Sequence, residues 1–311
     1  MKYKDYSEYR KKIESLFPFH FKNVKDPEIK KILLILSKPE NLKENFSLIY
    51  RLSHFYNATI KILNGRHFYR KEAEKSGLML QTLDELVKGT QDIPLDLVEI
   101  EYVRDGRPFF GIQRIIETSR VDFVISQCPF VDFIESEKYS NGSIGETLDF
   151  LLEYCLFEKK IPLMLFKDST LLLKKHFQNI AITINDWFKP FLFQLLLEFS
   201  SDQNTDFTFI PFITTSSNSL EKNLKEIIQE KISYICSNVK NWSEEQDQKI
   251  KINETNLITN SKELSDFLST NQFELIVFYI PSNISFIKDL FPLIQSINSN
   301  ILLIPNLDLQ G

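Results

Sequence analysis

A chain of 311 residues, 43% hydrophobic and 25% charged, has the balance of a soluble globular protein and the length for two ordinary domains. Its formal net charge of -5 excludes the basic footprint of a nucleic-acid binder. No apolar run reaches the roughly 18 residues that span a bilayer, and the N-terminal stretch MKYKDYSEYRKKIESLF has no signal-peptide core, so a cytoplasmic protein without membrane insertion is expected.

Residues 1–28 read as a helical N-terminal arm. KILLILS, from Lys31 to Ser37, is a continuous apolar run suited to a strand buried on both faces, and Leu42, Phe46, Ile49, Leu52 and Phe55 follow at helical spacing. ATIKIL (58–63) predicts a second strand, KEAEKSGLMLQTLDELVKG a second helix, and LDLVEIEYV (95–103) a third strand. After the turn RDGRP a third helix runs through Arg120, with Pro108 at its first position. VDFVIS is the fourth strand, the Leu148, Leu151, Leu152, Cys155, Leu156 stripe marks a fourth helix, and IPLMLF is the fifth strand. Strands alternating with helices of this size imply parallel pairing through right-handed crossovers.

The order then repeats in a drifted sequence. NIAITIND, DFTFIPFI, QKIKIN, FELIVFYI and NILLIPN read as five more strands. Helices are predicted from Trp187 to Phe199, from Asn218 to Asn241, and over NSKELSDFLSTN, which carries its own cap. The expected organisation is two α/β units, 29–168 and 178–306, each with a parallel five-stranded sheet of Rossmann type.

Little in the sequence points to catalysis or metal binding. Cys128, Cys155 and Cys236 are odd in number and far apart, and His20, His54, His67 and His176 have no partner at ligand spacing. The cysteines read as core thiols. Clustered phenylalanines such as Phe188, Phe191 and Phe193, or Phe207, Phe209 and Phe212, follow helix and strand periods and read as core. No nucleophile elbow and no phosphate loop of the G-x-x-x-x-G-K-[ST] kind is present. Arg104, Asp105 and Arg107 stand on the turn before the third helix, a turn that Asp105 and Gly106 explain without a ligand.

One stretch suggests a ligand. Gly142, Ser143 and Gly145 open the fourth helix, and backbone N–H groups at a helix start receive phosphate readily. The chain has only eight glycines, with none between Gly145 and Gly311, so the second half is poorly supplied for such a cradle.

The segment VRDGRPFFGIQRIIETSRVDFVIS, Val103 to Ser126, resembles the universal stress protein family: an acidic residue, Gly, any residue and Pro, then a helix, then the aspartate that leads strand four. Gly142 and Ser143, the helix after them and IPLMLF resemble the closing segment of the same family. The resemblance covers about residues 29 to 167 in pattern, and the second repeat only in the order of its elements. It implies two tandem domains, each with five parallel strands in the order 3-2-1-4-5, paired about a pseudo-two-fold axis with their fifth strands near one another.

Family members that bind ATP use an aspartate after strand one, backbone at the end of strand two, and a glycine motif after strand four. Carried over, these positions fall on Ser37, on Leu63, and on Gln127 with Phe130; only the closing pair, Gly142 and Ser143, matches. The loop between them carries Asp132, Glu135 and Glu137, which would repel a triphosphate. In the second repeat Asp186 falls near the strand-one position and reads as a cap for the helix at Trp187. The expectation is a non-enzymatic regulatory or protein-interaction module that needs no cofactor, with ATP or AMP binding weak or lost and confined to the first repeat. An ATP- or AMP-binding universal stress protein or a nucleotide-using enzyme of the wider α/β class, and a cytosolic regulator of a membrane transporter, are the alternatives. Beyond the pairing of the two repeats, a homodimer or a protein partner remains open.

Overall fold

β1 (Lys31–Leu36) is apolar from Ile32 onward, and Ile32, Leu33 and Leu34 are all buried. Such a strand is stable only with both sheet faces covered. A computed structural model describes residues 29–36, 52–53, 56–64, 98–101, 108–127, 150–166, 177–184, 196, 199–200, 205–212, 222–245, 250–280, 290, 292–294 and 296–305. The N-terminal arm and the predicted second helix lie outside them.

The remaining strands fall where the apolar runs place them. In the first half these are β2 (Thr59–Asn64), β3 (Val98–Glu101), β4 (Phe123–Gln127) and β5 (Leu163–Phe166). The second half supplies β6 (Asn179–Ile184), β7 (Thr205–Pro211), β8 (Ile250–Glu254), β9 (Leu275–Ile280) and β10 (Asn300–Pro305). All ten belong to one sheet, in the order β3-β2-β1-β4-β5-β10-β9-β6-β7-β8. Each half therefore has the strand order 3-2-1-4-5, with every pair inside a half parallel.

The halves meet through their fifth strands, which pair antiparallel: Ile301 faces Leu165, Leu302 faces Met164 and Leu303 faces Leu163. Antiparallel pairing of equivalent strands is the relationship that a two-fold axis generates. Because side chains alternate across a strand, successive residues feed opposite faces. Leu34, Ile62, Phe123, Met164, Ile182, Phe207 and Leu302 pack into one core, against helical residues Leu52, Leu196 and Phe199. Leu33, Leu63, Val124, Leu165, Phe278 and Leu303 pack into the other. Both cores draw on both halves, so the seam is continuous core above and below the sheet.

Among the described residues, three longer helices cover these faces. Helix α1 (Pro108–Ser119) starts at the proline whose missing N–H costs nothing in a first turn, and it buries Ile112, Ile115 and Ile116. Helix α2 (Lys222–Glu245) buries Ile232, Ile235, Cys236 and Val239, and it runs beyond the predicted end at Asn241. Helix α3 (Ser261–Thr270) is capped by Asn260, whose Oδ1 accepts the Glu263 N–H at 2.7 Å while Glu263 Oε2 accepts from Asn260 Nδ2 at 3.2 Å.

The predicted fourth helix departs from α geometry. Residues 150–153 are helical, and Tyr154–Glu158 form a π-turn closed by the Lys159 N–H on the Tyr154 carbonyl at 2.9 Å. The wider turn lets Tyr154, Cys155 and Leu156, three consecutive residues, all be buried. In the second half the last helical residues, including Leu290, Leu293 and Ile294, are buried on the same sheet face, and the Ile297 N–H returns to the Leu293 carbonyl in ordinary α spacing.

Candidate functional site

In an open α/β sheet, ligands bind beyond the carboxyl ends of the strands, where neighbouring strands lead their connections to opposite faces. With the order 3-2-1-4-5 this point lies between strands one and four. In the first half β4 pairs with β1 only as far as Ser126, opposite Ile35, while its pairing with β5 continues to Gln127, opposite Phe166. The strands therefore part at Gln127. Leu36 and Asn64 end β1 and β2 on the neighbouring ladder.

The second half has the equivalent parting. Pairing of β6 with β9 stops at Thr183 opposite Phe278, while β9 and β10 continue through Tyr279 and Ile280. Superposing the registers sets Asn64 against Pro211, Ser126 against Phe278 and Gln127 against Tyr279. The first edge is polar in sequence, and the second is apolar. Ile184, Phe278, Tyr279 and Ile280 are each no more than 2% exposed and pack into the two cores, and Ser126 is also buried, so the two edges differ in residue type rather than in burial. Burial alone pushes the Tyr279 hydroxyl far above the ordinary tyrosine range. The Thr183 hydroxyl donates to the Val277 carbonyl at 3.0 Å.

The sequence-derived site residues divide accordingly. Gln127 ends β4 at the first parting. Leu63 is fully buried, and β2 continues to Asn64, so Leu63 lies inside the ladder, opposite Ile35 and Glu101, rather than at its end. Asn64 is the residue that ends the strand. Ser37, Gly142, Ser143 and Gly145 lie outside the described residues, as do Phe130, Asp132, Glu135, Glu137, Asp186 and the turn Arg104 to Arg107. Asn64, which closes TIKILN, and Ser126, which precedes the closing Gln127 of FVISQ, are not marked by the sequence; the aligned registers bring them out.

A second polar cluster joins the last turn of α1 to the π-turn. Glu117 Oε1 accepts from the Tyr154 hydroxyl at 2.9 Å, from Lys159 Nζ at 3.1 Å and from Gln113 Nε2 at 3.4 Å, and Lys159 Nζ stands 5.3 Å from the centre of the Tyr154 ring. Hydrogen bonds from Tyr154, then Lys159, hold the Glu117 carboxyl below its usual range. Burial, then the bond to Glu117, pushes Tyr154 up to about 12, and the bond to Glu117 raises Lys159. The shifts keep Glu117 ionised, Lys159 charged and Tyr154 protonated, the reverse of what proton transfer near pH 7 requires. The cluster ties the π-turn to α1.

Among the described residues no group of His, Cys, Asp or Glu has the arrangement of a metal site. Cys155 and Cys236 are buried, and burial pushes both thiols up to about 12, as expected of core thiols. No described helix is long and apolar enough to cross a membrane.

No protein-family model matches the sequence, and no curated protein matches it. Solved structures do. A universal stress protein from Archaeoglobus fulgidus DSM 4304 is 11% identical, with 89% of this chain and 97% of that one covered at a TM-score of 0.52. A putative universal stress protein from Pseudomonas aeruginosa UCBPP-PA14 is 10% identical, covering 89% and 93% at 0.54. The cytoplasmic domain of a prokaryotic cation chloride cotransporter is 14% identical, covering 89% and 96% at 0.51. The chain has the universal-stress-protein-like fold, in tandem, that its sequence resembled.

Proposed function

We propose that this chain is a non-enzymatic regulatory or protein-interaction module built on the universal-stress-protein-like fold, in which nucleotide binding is weak or lost and confined to the first half. The observation that carries this reading is the contrast between the two strand partings. Ser126 and Gln127 stand at the first, where phosphate-binding candidates Gly142 and Ser143 follow in the chain, whereas Phe278 and Tyr279 stand at the second. Recognition of a nucleotide needs polar groups placed at the mouth of the crevice. Pro211 and Phe278, which stand where Asn64 and Ser126 stand in the first half, carry no polar side-chain group.

The absence of the motif's earlier glycines, replaced by Gln127 and Phe130, and the acidic loop carrying Asp132, Glu135 and Glu137 argue for weak affinity toward ATP. Mass spectrometry of the supernatant released by heating the purified protein tests the reading directly. No nucleotide, or a substoichiometric amount, is the expected result, and a stoichiometric nucleotide would overturn it.

A second reading is favoured by one comparison. A cotransporter's cytoplasmic domain shares the fold over 89% of this chain, so a regulator that acts on a membrane transporter from the cytosol is the partner class to test first. Capture from cells with the intact chain as bait, followed by identification of enriched transporter subunits, tests it. Enrichment of soluble proteins alone would count against it.

A further inference from the structure

We draw no further inference here: the strongest candidate, the Glu117, Tyr154 and Lys159 side-chain cluster at the π-turn leading into β5, engages its groups with one another and no second observation among the described residues points to a ligand for it.

Discussion

Asp122 and Glu274 do the same work in the two halves with side chains of different length. Asp122 Oδ2 accepts the N–H groups of Lys30 and Lys31 at 2.8 and 3.0 Å, just ahead of β1 and at its first residue. Glu274 Oε2 accepts those of Gln178 and Asn179, the corresponding residues before and at the start of β6. Each carboxylate also sits one residue before its own strand, and its backbone N–H donates to the carbonyl of Lys31 or Asn179 at 2.9 Å. Strands one and four of each half are thereby locked in register at the amino end of the sheet.

Removing either carboxylate leaves two backbone donors without their acceptor. Hydrogen bonds to a charged group contribute roughly 1.5–3 kcal/mol, less where water can replace them. Glu274→Ala is expected to lower the unfolding free energy by about 2 kcal/mol, and Asp122→Ala by about 1 kcal/mol, because Glu274 is buried and Asp122 only half-buried, where water replaces its bonds more readily. Urea denaturation midpoints compare them. No loss in either variant would show that the register is held by the ladders alone, and equal losses would show that the burial of Glu274 adds nothing.

The chain uses few glycines even where the backbone is left-handed. Asn57, Arg120 and Lys160 have φ of 50, 53 and 55°, each between a helical segment and the strand that follows. A side chain bearing a Cβ costs roughly 1 kcal/mol in this conformation, and asparagine tolerates it better than most. Arg120→Gly and Lys160→Gly should each stabilise the protein by about 0.5–1 kcal/mol, and Asn57→Gly by less. Thermal midpoints measured side by side decide it, and a loss of stability in the first two would mean that their side chains make contacts worth more than the backbone strain.

Strand positions were legible in the sequence because a parallel sheet covered on both faces demands runs such as KILLIL and LIVFYI, which few other structures tolerate. The joining of the two sheets was legible only through the family resemblance. Nothing within LMLF or NILLIP marks an antiparallel partner, since every residue of both is buried whatever lies alongside. The π-turn was invisible for a related reason: YCLFE fits a buried α stripe, and the turn's partners, Glu117 of α1 and strand β10, are far away in the chain. At the candidate site the glycine pair stood out by composition, whereas Asn64 and Ser126 became visible only when registers aligned the two halves. Their chemistry is common, and their position depends on contacts far apart in the chain.

Alkaline stability follows from the buried hydrogens. Tyr154 ordinarily titrates near 10 and is pushed up to about 12, and Cys155 and Cys236 move from about 9 to about 12. Between those limits the unfolded chain releases protons that the folded chain keeps, so stability falls as pH rises. The contribution is whole below about pH 9 and is lost progressively toward about pH 12. Cys155→Ala should flatten the fall in denaturation free energy across that window. An unchanged slope would assign alkaline sensitivity to other groups.

The shared cores predict that the halves unfold together. Both tryptophans, Trp187 and Trp242, belong to the second half, so their fluorescence reports its unfolding, while circular dichroism reports all helices and strands. Leu165 lies in β5 of the first half, opposite Ile301 across the seam, and is almost fully buried. Leu165→Ala should cost about 2–5 kcal/mol through lost burial and a residual cavity. If the seam couples the halves, tryptophan fluorescence and circular dichroism will shift to the same lower denaturant midpoint. Two separated transitions, with the fluorescence midpoint unmoved, would make the halves independent.

Nucleotide binding is where the functional reading stands most exposed. A ligand present at a hundred times its Kd stabilises the native state by about 2.7 kcal/mol, enough to raise Tm by several degrees in a chain of this size. Titrating ATP and AMP, each with and without magnesium, should therefore give a small shift or none at millimolar ligand. Magnesium is the informative comparison, because it would screen the phosphates from Asp132, Glu135 and Glu137. Any shift that does occur should vanish in the double variant Gly142→Val with Ser143→Ala, since a branched side chain blocks close backbone approach and the hydroxyl is lost. Tight binding that survives both substitutions would move the site elsewhere, and binding strengthened by neither metal nor mutation of the acidic loop would remove the electrostatic argument for weak affinity.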